Sequence, residues 1–142
     1  MMTKKVLKSR YGRAERGQSL VEFVLVLPVF LLFLFAIIDF GMGFHAWITV
    51  TNASREGARI GAVGATSAEI ENKVRSSASS LDQNKLSVAV TNAQGAPGDP
   101  VTVDVSYRYD LITPLSNILN LVGGGGIGSS LTFTANTEMR LE

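Results

Sequence analysis

Residues 17–44 read GQSLVEFVLVLPVFLLFLFAIIDFGMGF, and this stretch decides what the rest of the chain can be. From Phe23 to Ile38 sixteen residues pass without a charge, about 24 Å of helix against a hydrocarbon core of about 30 Å. Continuing through Asp39 to Phe44 makes 22 residues and about 33 Å. That is enough to cross a bilayer if Asp39 sits near the outer headgroups or has a partner, with contact to another helix as its second role. Trp47 then falls at the interface, where an amphipathic ring is at ease. Pro28 removes one N–H, which a span tolerates better than a soluble helix, and predicts a bend or a loosened turn.

Outward toward the start, residues 1–17 carry Lys4, Lys5, Lys8, Arg10, Arg13 and Arg16 against Glu15 alone, a net +5. Residues 18–142 carry seven basic and eleven acidic groups, a net −4. This asymmetry is a topological signal that keeps the N-terminus in the cytoplasm and puts the rest outside. It leaves the larger part without a basic patch for nucleic acid. A buried helix of a soluble core is disfavoured because nothing downstream is large enough to surround it. A cleaved secretory signal lacks a convincing small-x-small site after the apolar run. An ordinary signal anchor remains an alternative.

Catalytic and metal chemistry find little support. Cysteine is absent from all 142 residues, which removes disulfides and a thiolate nucleophile. His45 is the sole histidine and has no clustered acids at ligand spacing, so no metal site is expected. Gly123–Gly126 is followed by Ile127-Gly128-Ser129-Ser130 rather than by Lys and Ser/Thr, so it is a linker and not a phosphate loop. No enzyme activity and no cofactor are expected.

Glu22 is the residue out of place, with Leu20, Val21, Phe23 and Val24 around it. A charge near the middle of a span costs about 2.5 kcal/mol or more. The positive end of the helix lowers that cost near its start. A cation one turn back would offset it, but Gln18 offers none as an internal residue. A cut between Gly17 and Gln18 would give Gln18 an α-ammonium group four residues from Glu22, the spacing of neighbours on one helical face. Such a pair forms within the chain or with an adjacent subunit.

Gly17-Gln18-Ser19-Leu20-Val21-Glu22-Phe23 resembles the processing site of type IV prepilins, and an aromatic after the glutamate is closer to the tight-adherence (Tad/Flp) branch. RGQSLVEFVLVLPVFLLFLFAIIDFG, followed by Thr51-Asn52-Ala53-Ser54-Arg55-Glu56-Gly57-Ala58-Arg59, resembles the TadE-like pseudopilins of that system. The resemblance covers residues 16–59. It implies that Gly17 precedes the scissile bond, that Gln18 becomes the new N-terminus, and that Glu22 is the packing and recognition carboxylate. It also implies a prepilin-type peptidase that cuts this chain, and as partners other pilins, pseudopilins and inner-membrane pilus assembly proteins.

Beyond Trp47 the pattern stays helical. Arg55 and Arg59 share a face with Glu56 beside Arg55, so each faces water, a carboxylate or lipid phosphate; an intersubunit contact is the sharper alternative. Gly57, Gly61 and Gly64 lower helicity by up to ~1 kcal/mol each and suggest close approach of another element. Ser67 to Leu81 places Ile70, Val74, Ala78 and Leu81 on one side. Leu86, Val88 and Val90, then Val101, Val103, Val105, Tyr107 and Tyr109, then Leu131, Phe133, Ala135 and Met139, alternate as half-buried strands do. Between the last two, Leu111 to Val122 reads as a short apolar helix or turn. The tail Thr137 to Leu141 resembles that of TadE-like chains without an evident physical role.

The fold class is therefore α+β: a long N-terminal helix, its first part transmembrane, with a small antiparallel three-stranded sheet, pilin-like. The expected organisation is a basic cytoplasmic leader at 1–17, a transmembrane helix at 18–47, a helical extension outside the membrane at 48–82, and an α+β head at 83–142. The expected function is a minor pilin or pseudopilin of a tight-adherence pilus assembly and secretion system in the bacterial inner membrane. The alternative is an unprocessed, single-pass, membrane-anchored binding module outside the cytoplasm.

Overall fold

The computed structural model describes residues 11–123 and 128–142. The basic residues of the leader before Tyr11, and glycines 124–126 of the linker, lie outside that range. Helix α1 runs unbroken from Tyr11 to Ala62, 52 residues, with Pro28 inside it. Among the described residues it is the one helix long and apolar enough to cross a membrane. Its lower side chains are bare: Leu25 is 70% and Phe33 68% exposed.

The upper part of α1 lies lengthwise on a three-stranded antiparallel sheet of order β1-β2-β3. The strands are β1 Leu86–Thr91, β2 Pro100–Asp110 and β3 Ser130–Arg140. Strand alternation sets the faces. Val101, Val103, Val105, Tyr107 and Tyr109 of β2 are all buried against α1, while Thr102, Asp104, Ser106, Arg108 and Asp110 between them are not. The register Val101↔Met139, Val105↔Ala135 and Tyr107↔Phe133 carries the same inner face into β3.

Small residues let α1 approach. Ala46, Val50, Ala53, Ser54, Gly57, Ala58 and Gly61 form its buried stripe. A Cβ on Gly57 would lie 2.5 Å from Val74 Cγ2 and 3.3 Å from Val103 Cγ1. At Gly61 it would lie 3.1 Å from both Ile70 Cδ1 and Val101 Cγ2. Gly64 works differently: its φ of +86° turns the chain out of α1. The helical region beyond the span is thus two helices. The second, α2 (Ser67–Ser77), starts with a capping box in which Thr66 Oγ1 accepts from Glu69 N at 3.3 Å and Thr66 N donates to Glu69 Oε2 at 2.8 Å. Ile70, Val74, Ala78 and Leu81 are buried, as their spacing indicates.

A short helix α3, Leu115–Gly123, stands between β2 and β3. The tail has a structural role: Leu141 is buried, its N–H donates to Asp99 O at 2.9 Å, and Glu142 N–H donates to Ala62 O at 3.0 Å. That last bond satisfies one of the carbonyls that the end of α1 leaves without a helical partner.

Candidate assembly site

Gly17, Gln18, Glu22 and Phe23 all lie within α1. Apart from its chain neighbours and the backbone of its own helix, nothing among the described residues lies within 4 Å of the position a Cβ on Gly17 would take. Gln18, Glu22 and Phe23 are exposed, with nothing from the head reaching them. Gln18 Nε2 donates to Glu22 Oε1 at 3.3 Å. The Gln18 amide thus supplies Glu22 with a donor at the four-residue spacing of one helical face. This donor is neutral rather than the cation that the cost of Glu22 calls for, and the four-residue spacing marks its place in the sequence.

Asp39 is where the span and the head meet. It is only 6% exposed, and its partners come from seventy or more residues later in the chain. Oδ1 accepts from Ile112 N at 2.9 Å and from Thr113 N at 3.3 Å, and the Thr113 hydroxyl donates to Oδ2. The Tyr109 hydroxyl donates to the Asp39 backbone carbonyl at 3.2 Å and lies 3.4 Å from Oδ1. An anion held by two backbone N–H groups and two hydroxyls is solvated by the protein itself, which offsets its removal from water. These contacts give Asp39 partners within the chain: the carboxylate latches the chain's own head onto its helix.

Arg55, Glu56 and Arg59 sit on the outer face of α1. Glu56 Oε2 is 3.0 Å from Arg59 Nη2 and 3.8 Å from Lys73 Nζ of α2. The Arg59 hydrogen bond and charge hold the Glu56 carboxyl below its usual range. Arg55 is exposed and makes no ion pair among the described residues. The structure therefore brings Glu56 and Arg59 together and leaves Arg55 outward.

Two further polar contacts lie inside the head. The buried Ser54 hydroxyl donates to Val103 O at 3.0 Å and shares a 2.8 Å hydrogen bond with the Thr137 hydroxyl. On the surface, Lys85 Nζ is 3.0 Å from Asp110 Oδ2. Among the described residues no group of three or more His, Cys, Asp or Glu side chains is placed to hold a metal ion.

Between α1 and the lower end of the sheet lies an apolar cavity of about 540 Å³, bounded by Asp39 and Tyr109 among aromatic and aliphatic side chains. Phe40, Phe44 and Trp47 form an aromatic ladder along the helix beside it, with ring centroids 5.1 and 5.6 Å apart.

In a comparison with known families, residues 17–59 fit the model described as TadE-like protein. No curated protein and no solved structure matches the chain. The matched segment runs from the glycine ahead of Glu22, through the span and the Asp39 latch, to Arg59.

Proposed function

We propose that the chain, TadE-like over residues 17–59, is a minor pilin or pseudopilin of a tight-adherence pilus assembly and secretion system. It acts by subunit packing rather than by catalysis. Its leader, residues 1–17, is cytoplasmic; α1 crosses the bacterial inner membrane; the head stands outside the cytoplasm. A prepilin-type peptidase cuts between Gly17 and Gln18, and the partners are other pilins, pseudopilins and inner-membrane assembly proteins.

One observation carries this reading. Glu22 projects from a bare stretch of α1, amid exposed Leu20, Val21 and Phe23, with the neutral Gln18 amide as a hydrogen-bond partner. In lipid such a carboxylate is costly, and an α-ammonium at Gln18, of this chain or a neighbour, would offset that cost. Cleavage would thus couple the maturation of the chain to its packing. Gly17 suits the cut: its missing side chain leaves the bond unobstructed and lowers the cost of opening the helix there by about 1 kcal/mol relative to Ala.

Mass spectrometry of the native protein tests the proposal. The mature N-terminus is expected at Gln18, and only in cells that hold the peptidase. Retention of Met1 or Met2 would overturn it and leave an anchored binding module, while a start near residue 46 would mean ordinary secretion. Gly17→Leu is expected to block the cut. Glu22→Ala is expected to leave insertion intact and to abolish co-purification with partner subunits.

A further inference from the structure

The cavity between α1 and the head spans two environments. It begins at Ala36, inside the uncharged run of the span, and ends at Trp47, a rise of about 16 Å along the helix. Its foot is therefore in hydrocarbon and its top at the outer interface. The lipid-facing surface of α1 runs into it without a break, since Phe33, Ile37, Phe40 and Phe44 are all exposed. Leu131, on its sheet side, is 53% exposed.

The lining specifies the occupant. Asp39 and Tyr109 are the polar residues of the wall besides the Trp47 indole, and they bond to each other while Ile112 and Thr113 take the rest of the carboxylate. The Asp39 oxygens are taken up by donors of the chain itself rather than offered to a polar ligand. The volume lies in the range of about 300–1,000 Å³ typical of sites that enclose a small apolar molecule. Its continuity with the exposed, lipid-facing side chains of α1 points to a hydrocarbon chain of the bilayer itself as the occupant.

We propose that the cavity between Ala36 and Trp47 of α1 and Leu111, Leu131 and Phe133 of the head seats an acyl chain of an outer-leaflet phospholipid. The lipid fills the apolar space that the Asp39 latch creates when it draws the head down to the membrane, and it sets the height of the head above the bilayer. The site needs α1 to span the membrane. It does not depend on the cut at Gly17, so a mature N-terminus at Met1 would leave it standing.

Trp47 is the chain's only tryptophan and reports the occupant directly. The full-length chain is reconstituted in phosphatidylcholine vesicles with or without bromine on the acyl chains. Acyl bromine is expected to remove more than half of the Trp47 emission, and aqueous iodide to remove little. Leu131→Lys, which places an ammonium at the mouth, is expected to reverse this order. Ala36→Phe, which closes the foot without adding charge, is expected to abolish acyl quenching even if the Lys variant misfolds. Thr132→Lys, on the opposite face of β3, is expected to behave as wild type. Equal acyl quenching in wild type and Ala36→Phe would overturn the proposal. So would ready quenching of the wild type by iodide, or quenching that changes with the protein-to-lipid ratio, the sign of a second copy in the cavity.

Discussion

The two halves of α1 are one continuous helix and two different objects. Below Asp39 the side chains are large and bare, from Leu20 to Ile38. Above it the buried stripe is Ala, Ser and Gly with a single Val. Lipid imposes no shape on the lower half, so bulk is free there and serves only to keep water away. The sheet imposes one on the upper half, where each methyl group sets the distance between helix and strand. Residue size, not helix propensity, separates the membrane half from the head half.

The sharpest way to break this comparison is a large residue in the upper half. Gly57→Val puts a Cβ 2.5 Å from Val74 Cγ2 and is expected to destabilise the head by about 3 kcal/mol, read as earlier thermal unfolding and faster proteolysis of the head. The matching change below, Phe33→Ala, is expected to move the same readings by less than about 0.5 kcal/mol. At the junction, Asp39→Ala leaves the Ile112 and Thr113 N–H groups without their acceptor and is expected to cost about 2 kcal/mol. Its signature is faster hydrogen exchange at residues 112 and 113. Ser54→Ala removes one buried hydroxyl between α1 and β2, an expected loss of about 1 kcal/mol in the same melt.

The smallest effect is with pH. The Lys85 hydrogen bond and charge hold the Asp110 carboxyl below its usual range, and the Thr66 hydrogen bonds do the same for Glu69. A carboxyl depressed in the folded state contributes stability that is fully present above its unfolded value and disappears as pH falls through the folded one. Acid titration of the melting temperature is therefore expected to be flat at neutral pH and to fall only below the ordinary carboxylate range. Added salt should shrink the Asp110 share of the step, since its ion pair with Lys85 is exposed. Asp110→Asn is expected to remove part of it.

What the sequence displayed and what it hid divide along the same physical line. The strands were legible because alternation is local: Val101 to Tyr109 states its own inner face. The span was legible for the same reason, through an uncharged run between a basic segment and Trp47. Gly57 and Gly61 announced a close approach, yet not which element approaches, because Val74, Ile70, Val101 and Val103 lie far from them along the chain. Ser67 to Leu81 read as a second helical stretch, but the end of α1 at Ala62 was fixed only by Gly64 and the Thr66 cap. Asp39 was visible as a misfit, but Ile112 and Thr113 carry no periodic mark, and the alternation that turns Tyr109 inward does not say what it faces. Only the fold brings them to it.

The alignment of helix and sheet has a mechanical side. As α1 runs from Gly43 to Gly61 its neighbours in β2 run from Tyr109 back to Val101. Eighteen helical steps rise about 27 Å and eight strand steps about 26 Å, so the two elements keep pace along their full contact. A pull along α1, such as drawing the span out of the bilayer, is therefore a shear across that whole seam. Ser54, Gly57, Gly61 and the Asp39 latch take the load together rather than in turn, and the head travels with its helix as one stiff piece.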